Sequence, residues 1–329
     1  MTAPPVIRAA RPPSPTTLAS NAFVAAHIDA ARDLGRRLAD EIDDPGRFVA
    51  AMRAGCEALA DPVALAGHQV VAPGIGPSIG VRMPLLEAVN RALARELRGV
   101  RSARLLPVAS ALADDPVREL RWFACWVLAR ILPDEPEQAW QVLRGLAAEA
   151  DDWISVDTLA AAVAAGVLRE PYRWAELEQL VYSPSRWERR LVGSTIATIP
   201  FADRKAGRTR DVAGRGLSLV GLLIGDPEPD VQKALSWALR NLAAVDRAAV
   251  TAFCRREAGR AATTSDGARA WVVRDTLGKL TPADAAELRG RLAGIRRTPR
   301  SANTSAAAAT AAAFRAPGRD ATASRSPLT

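Results

Sequence analysis

A tryptophan and an aspartate at helical spacing form the most chemically suggestive pair in this chain. Trp153 precedes Asp157 by four residues in the segment DDWISVDTLA. Residues three or four apart on a helix share a face, so the indole ring and the carboxylate would point the same way. A carboxylate stabilises positive charge that develops in a transition state, and an indole face attracts cations. This pair therefore brings a negative charge and an aromatic ring to one face of a helix.

Two later segments pair tryptophan with basic residues. Trp187 precedes Arg190 by three residues, and Trp237 follows Lys233 by four and precedes Arg240 by three. Taken singly, each pair also fits a structural role, with the rings in the core, the aspartate as a cap or salt-bridge partner, and the basic groups on the surface. Three helices that present such pairs at regular spacing favour a shared site.

The positive charge of the chain is unevenly distributed. The net charge is +8, but residues 21–295 carry only +1, because residues 1–20 carry +2 and residues 296–329 carry +5. Within the body, residues 186–215 hold a local charge of +5. Such clustering supplies sequence-independent affinity for duplex DNA if it lies on a concave helical surface. The basic residues of this stretch are Arg186, Arg189, Arg190, Arg204, Lys205, Arg208, Arg210 and Arg215.

The elements that must position these residues are predicted to be helices. Apolar residues recur every three or four positions, and no sustained strand-type alternation occurs, so the chain is predicted to be all-α. Several helices are predicted to start at a capping residue followed by proline, at Asp115, Ser183, Asp226 and Thr281. The predicted helices cover residues 22–41, 46–60, 83–97, 101–113, 117–132, 136–149, 154–168, 172–182, 186–199, 210–224, 229–243, 246–259, 266–279 and 282–293.

The helical segments also repeat. Five similar segments begin near residues 114, 151, 183, 226 and 264. Their intervals of 32 to 43 residues match the length of a helix pair and are typical of HEAT-like repeats. Such pairs bury their apolar faces against neighbouring pairs, which predicts a curved solenoid. We expect the DNA-binding site on its concave face.

Composition divides the chain into three regions. Residues 1–20 are rich in proline and residues 296–329 are a basic Ala/Ser/Thr-rich tail, and both are predicted to be disordered because they have too little to bury. Residues 21–295 are predicted to form the HEAT-like domain. The alanine-rich stretch SAAAATAAAF in the tail is expected to be a transient helix at most.

Several classes of protein are disfavoured by residue type. Three widely spaced cysteines and two histidines do not suit a thiolate or His-ligated metal centre, so no metal or cofactor is expected. The same cysteine usage favours a reducing cytoplasm, and no signal peptide or membrane span is expected. The glycines of APGIGPSIG have the wrong spacing for a nucleotide loop and predict a turn at Gly74, Gly76 and Gly80.

Four segments resemble bacterial DNA-alkylation-repair glycosylases of the AlkD type, which are HEAT-like proteins. GVRMPLLEAV, DDWISVDTLA, SRWERRLV and DVQKALSWALRNLA are similar to motifs of that family, and the last is the most specific. The likeness covers roughly residues 25–280. The chain differs from the motifs at Ile154, Ser155, Ser236 and Asn241, and about eight extra residues separate the last two motifs.

The resemblance implies excision of positively charged alkylated purines, of the 3-methyladenine and 7-methylguanine type, from duplex DNA by a monomeric protein in the cytoplasm or nucleoid. It implies that Asp157 is the catalytic carboxylate and that Trp153 and Trp237 line the lesion cleft. Arg190 and Arg240 would hold the DNA backbone. Further DNA contacts are expected from Arg189, Lys233 and Trp187. Two alternatives stay open: a non-catalytic binder of damaged or branched DNA, and a HEAT scaffold for a protein partner.

Overall fold

The structure is a computed structural model that describes residues 14–72 and 76–314. The described residues form sixteen α-helices and contain no β-strand, which confirms the predicted all-α class. The helices are α1 (Pro15–Leu38), α2 (Pro45–Ala58), α3 (Pro62–Val71), α4 (Met83–Glu96), α5 (Leu106–Ala113), α6 (Arg118–Ile131), α7 (Pro136–Glu149), α8 (Trp153–Arg169), α9 (Arg173–Gln179), α10 (Arg186–Ala202), α11 (Arg210–Leu223), α12 (Pro229–Leu242), α13 (Arg247–Thr264), α14 (Gly267–Thr276), α15 (Pro282–Arg291) and α16 (Ala306–Phe314).

Capping side chains set most of the helix starts. The Asp152 carboxylate accepts the N–H groups of the first turn of α8, and Thr281 caps α15 as predicted. Ser183 and Asp226 were predicted as caps, but each lies two residues before the observed N-cap position. Each accepts the N–H of the residue two positions later, in the turn that leads into the helix. Ser185 is the residue that caps α10.

The chain divides into two compact units, Met1–Phe123 and Ala124–Thr329. In the first unit α1 packs along α4, and α2 packs against α5. The buried Glu119 carboxylate accepts N–H groups from Ile79, Gly80 and Val81. Gly80 has a φ of +87°, so the predicted glycine turn is confirmed there, whereas Gly74 lies outside the described residues.

The second unit is built from two layers of helices. Helices α8, α10, α12 and α14 pack side by side in that order, and α11, α13 and α15 form the second layer. The five segments identified as repeats start just before α6, α8, α10, α12 and α14. From α8 onward the repeat pattern therefore marks the helices of one layer, and the helical-repeat architecture is confirmed. The predicted curvature and concave face stay predictions.

Helix α3 was not predicted. Its residues are strongly apolar, but the helix buries none of them fully, and Val63, Val70 and Val71 are exposed. Its apolar residues therefore do not repeat along one buried face, so the hydrophobic periodicity of this segment does not predict a helix.

Both predicted ends of the folded body need correction. Helix α1 begins at Pro15, before the predicted limit at residue 20, and residues 1–13 lie outside the described part. At the other end, residues 296–314 fold onto the second unit, and residues 315–329 lie outside the described part of the chain. We call residues 295–305 the strap. The strap is followed by α16, which packs on α11.

Polar contacts explain why apolar content did not predict the strap. The Thr304 hydroxyl donates to Asp266, and the Arg269 guanidinium donates to the Thr304 carbonyl oxygen at 3.2 Å. The Thr304 N–H donates to the Gly225 carbonyl oxygen, also at 3.2 Å. Asp266 and Arg269 are themselves buried and ion-paired with each other. The strap therefore completes a buried polar network instead of covering an apolar surface.

No helix in residues 14–72 and 76–314 has the length and hydropathy needed to cross a membrane. The same residues contain no group of three or more His, Cys, Asp or Glu side chains that could hold a metal ion.

Burial raises the pKa of the Cys254 thiol to about 12, so this cysteine is expected to stay protonated and unreactive.

The strap network gives a stability prediction. Thr304→Val should lower the free energy of unfolding by about 1–2 kcal/mol, because the buried Asp266 loses a charge-assisted hydrogen bond. Urea denaturation measures this change. The matched control is Thr298→Val, an exposed threonine of the same strap, which should change stability by less than about 0.5 kcal/mol. Equal effects of the two substitutions would contradict the assigned role of Thr304.

Candidate active site

The candidate carboxylate lies in the second turn of α8. Because Asp152 caps this helix, Trp153 is its first residue and Asp157 follows one turn later on the same face. The Asp157 side chain is 22% exposed, so it lies near the surface without being fully solvated. Trp153 is half-buried beside it.

Arg190 of α10 binds both oxygens of this carboxylate. Its Nε donates to Asp157 Oδ1 at 3.1 Å, and its Nη2 donates to Asp157 Oδ2 at 2.7 Å. Its Nη1 donates to the carbonyl oxygen of Asp230 on α12 at 2.7 Å. The Arg190 side chain is only 5% exposed. A bidentate guanidinium–carboxylate pair of this kind fixes the orientation of both groups.

Close packing of α10 on α12 makes these contacts possible. A Cβ atom added at Gly193 would lie 2.8 Å from the Cβ of Ala234 and 3.0 Å from the Leu235 nitrogen. A larger residue at position 193 would therefore push the two helices apart. Arg190 lies one turn before Gly193 on α10. The close approach of the two helices therefore holds Arg190 within reach of the Asp230 carbonyl group.

Ser194 adds a third hydrogen bond to the carboxylate. Its buried hydroxyl donates to Asp157 Oδ1 at 2.6 Å. Oδ1 thus accepts two hydrogen bonds, while Oδ2 accepts one from the part of the chain that the structure describes. A carboxylate oxygen has two lone pairs. The remaining capacity on Oδ2 is what this site offers to a bound cation or a water molecule.

One aromatic ring lies beside this carboxylate on α8, and a second lies further along α12. The Arg190 Cζ lies 5.9 Å from the centroid of the Trp153 ring, so the buried guanidinium contacts both the ring and the carboxylate. Trp237 is half-buried on α12. It lies two turns, or about 10 Å, beyond Asp230 on the same face of that helix. Lys233 is exposed on the intervening turn.

Arg240 carries an ion pair at its predicted DNA-contact position. Its guanidinium donates to the Asp275 carboxylate of α14 and to the Ser236 hydroxyl. The Arg240 and Asp275 side chains are 31% and 42% exposed. Ser236, one of the departures from the family motif, therefore helps to hold Arg240. The pair is accessible enough for an external anion to compete with Asp275.

Two other predicted DNA contacts have internal partners. The Arg189 guanidinium donates to the buried Asp226 at 2.7 Å and to the Ser183 and Pro184 carbonyl oxygens at 2.9 Å, and its side chain is only 12% exposed. These bonds give Arg189 a structural role that its sequence position did not indicate. Trp187 is half-buried, and the Arg186 Cζ lies 4.7 Å from its ring centroid.

The structure also separates the basic stretch 186–215 into two parts. Arg190 lies near the start of α10, whereas Arg204, Lys205 and Arg208 follow its end. A helix rises 1.5 Å per residue, so about 20 Å separates the two groups along the axis. The local charge of +5 therefore does not form a single patch, because α10 separates the basic residues at its start from those beyond its end.

Sequence reasoning did not identify Ser194, Asp230 or Asp275 as site residues. A repeated spacing could have directed attention to α14, because tryptophan and arginine three residues apart occur at Trp187/Arg190, Trp237/Arg240 and again at Trp271/Arg274. On α14, burial lowers the pKa of the Arg274 guanidinium.

Comparison with known protein families gives a match. The model of the family described as DNA alkylation repair enzyme matches residues 52–270, which include Trp153, Asp157, Arg190 and Trp237. No curated protein matches the chain.

The Arg190 pairing gives a stability prediction. Arg190→Ala should lower the free energy of unfolding by about 3 kcal/mol, at the lower end for a broken buried ion pair because Asp157 is partly exposed. Arg186→Ala is the matched control, because this neighbouring exposed arginine has its carboxylate partner Glu228 at 3.8 Å. The control should cost less than about 1 kcal/mol in urea denaturation. A similar cost for both variants would show that Arg190 does not stabilise the site.

Proposed function

Because the chain belongs to the family of DNA alkylation repair enzymes, we propose that it is a DNA glycosylase that excises positively charged alkylated purines from duplex DNA. The observation that carries this proposal is the partly exposed Asp157 carboxylate, fixed by Arg190 and Ser194 beside Trp153. Substrates of this class are duplexes that contain 3-methyladenine or 7-methylguanine.

The chemistry of the substrate fits the residues at this site. A purine alkylated at N3 or N7 carries a positive charge, which weakens its glycosidic bond. When that bond breaks, the base leaves with the bonding electrons and becomes neutral, so no general acid is required. The deoxyribose is left with the positive charge until a water molecule attacks its C1′ atom and loses a proton. Stabilisation of the sugar cation is therefore the main task of the protein.

Asp157 would perform this task electrostatically. A fixed carboxylate placed where positive charge appears stabilises the transition state without reorganising. Oδ2 keeps hydrogen-bonding capacity that can also orient the attacking water. Trp153 and Trp237 would add cation–π attraction from the neighbouring helix faces. This scheme uses no metal ion or organic cofactor.

The geometry favours a revised role for Arg190. The sequence predicted a contact to the DNA backbone, but its donors bind Asp157 and the Asp230 carbonyl oxygen inside the protein. We therefore infer that Arg190 is a positioning residue that orients the catalytic carboxylate. Phosphate contacts at this site would instead come from Lys233 and Arg240, which are more accessible.

The first test removes the charge of the carboxylate. Asp157→Asn should reduce release of 7-methylguanine from methylated duplex DNA by roughly 100-fold or more, the usual cost of losing a preorganised electrostatic group. Binding to undamaged duplex should change little, because the substitution keeps the shape of the side chain. Release is measured under single-turnover conditions.

Asp211→Asn is the matched control, because Asp211 is an exposed aspartate on α11, and it should keep full activity. Unchanged release by Asp157→Asn would remove Asp157 from the mechanism. If the unaltered protein binds duplex DNA but releases no base, the non-catalytic alternative is favoured. If it binds no DNA, the scaffold alternative is favoured.

A second test concerns the Arg240–Asp275 ion pair. Asp275→Asn should tighten binding to duplex DNA by up to about fivefold, because an exposed ion pair that competes with phosphate is worth at most about 1 kcal/mol. Fluorescence anisotropy with undamaged duplex measures the change. Arg240→Gln in the Asp275→Asn background should remove the gain.

The matched control is Glu287→Gln, which breaks the Arg255 pair in the other layer of helices. It should leave DNA affinity unchanged. Equal tightening by both variants would reflect net charge and would contradict a local role for Arg240.

A further inference from the structure

The strap carries a cluster of positive charge that has no acidic partner. Arg296, Arg297 and Arg300 are exposed, and none of the three forms a salt bridge within residues 14–72 and 76–314. The strap sequence, IRRTPRSANTS, contains no Asp or Glu. Arg189, Arg190 and Arg240 at the candidate site each form an ion pair, so the strap arginines differ from them.

Contacts at both ends hold the strap against the second unit. The Arg274 guanidinium donates to the Ile295 carbonyl oxygen at the start of the strap. A Cβ atom added at Gly267, the first residue of α14, would overlap the Arg296 carbonyl oxygen. At the far end, the Thr304 N–H donates to the Gly225 carbonyl oxygen. The arginines therefore project from an anchored backbone.

The strap lies next to the candidate active site. The Arg297 Nη1 donates to Oε1 of the buried Gln232 at 3.0 Å, and its Cζ lies 5.4 Å from the centroid of the Trp271 ring. Gln232 is two residues from Asp230, whose carbonyl oxygen accepts from Arg190. Arg190 and Arg297 thus contact the same first turn of α12.

This geometry sets a distance that fits a DNA strand. Groups that flank one helix are about 10 Å apart, the diameter of a helix with its side chains. Phosphates follow one another about every 3.4 Å of axial rise along a DNA strand. The Arg297 guanidinium would therefore lie within a few nucleotides of one that is bound at the Asp157 site.

We propose that the strap is a DNA-contact element that binds phosphates of the duplex flanking the lesion through Arg296, Arg297 and Arg300. It lies beyond residues 52–270, the part that matches the family. The proposal rests on the proposed function only in requiring that duplex DNA binds at the Asp157 site. Regularly spaced phosphates continuous with that site match three anchored arginines without an acidic partner better than an acidic protein surface does.

The test removes the three charges and measures the salt dependence of DNA binding. Arg296→Gln, Arg297→Gln and Arg300→Gln are combined in one variant, and binding to undamaged duplex is measured between about 50 and 200 mM salt. Each lost phosphate contact lowers the slope of log K against log salt by about 0.9. The slope should therefore fall by about 2 to 3 in magnitude.

Two further variants keep the result interpretable. The control combines Arg247→Gln, Arg256→Gln and Arg289→Gln, which removes the same charge from exposed positions on α13 and α15. It should leave the slope nearly unchanged. The combined variant Arg296→Lys, Arg297→Lys and Arg300→Lys should keep the slope of log K against log salt, because lysine also binds phosphate as a point charge. Thermal unfolding confirms that each variant is folded.

Each outcome separates the strap from the catalytic proposal. Equal loss of slope in the strap variant and the control would overturn the strap assignment, as would an unchanged slope in the strap variant. A strap-dependent slope without any base release would support the strap and overturn the glycosylase proposal. Binding of an acidic protein, with no DNA affinity, would overturn both.

Discussion

The bidentate pairing of Arg190 with Asp157 is the contact on which the arrangement of the second unit most depends. It joins α10 to α8, and the bond from Arg190 to the Asp230 carbonyl oxygen joins α10 to α12. A guanidinium that is 5% exposed must have its donors satisfied, because an unpaired buried charge is strongly destabilising. Three helices must therefore keep one register, and Gly193 allows the close approach that this register needs.

The same pairing shapes what the carboxylate can do. Arg190 and Ser194 occupy three acceptor sites and leave capacity on Oδ2, which sets the direction from which a cation or a water molecule can approach. A freely rotating aspartate would lose part of its electrostatic effect to reorganisation. The buried arginine thus orients the carboxylate, while the basic groups at the surface remain accessible to solvent.

Much of the fold could be predicted from the sequence, because one physical pattern recurs in it. The repeated segments identified the layer formed by α8, α10, α12 and α14, and helical spacing placed Trp153 and Asp157 on one face. The neighbouring residues Arg189 and Arg190 could not be told apart, because only tertiary packing decides which carboxylate each one meets. The strap was missed because polar contacts, centred on Thr304, hold it in place.

The additional residues between α10 and α11 lie at the opposite end of α10 from Asp157. This loop, residues 203–209, includes a 3₁₀ turn at Ala206–Arg208 and lengthens one repeat interval to 43 residues. Because the extra length is accommodated there, repeat size can vary without altering the register at the other end. The loop is accordingly a suitable place to insert an affinity tag or a fluorophore on this protein while the Asp157 side remains unobstructed.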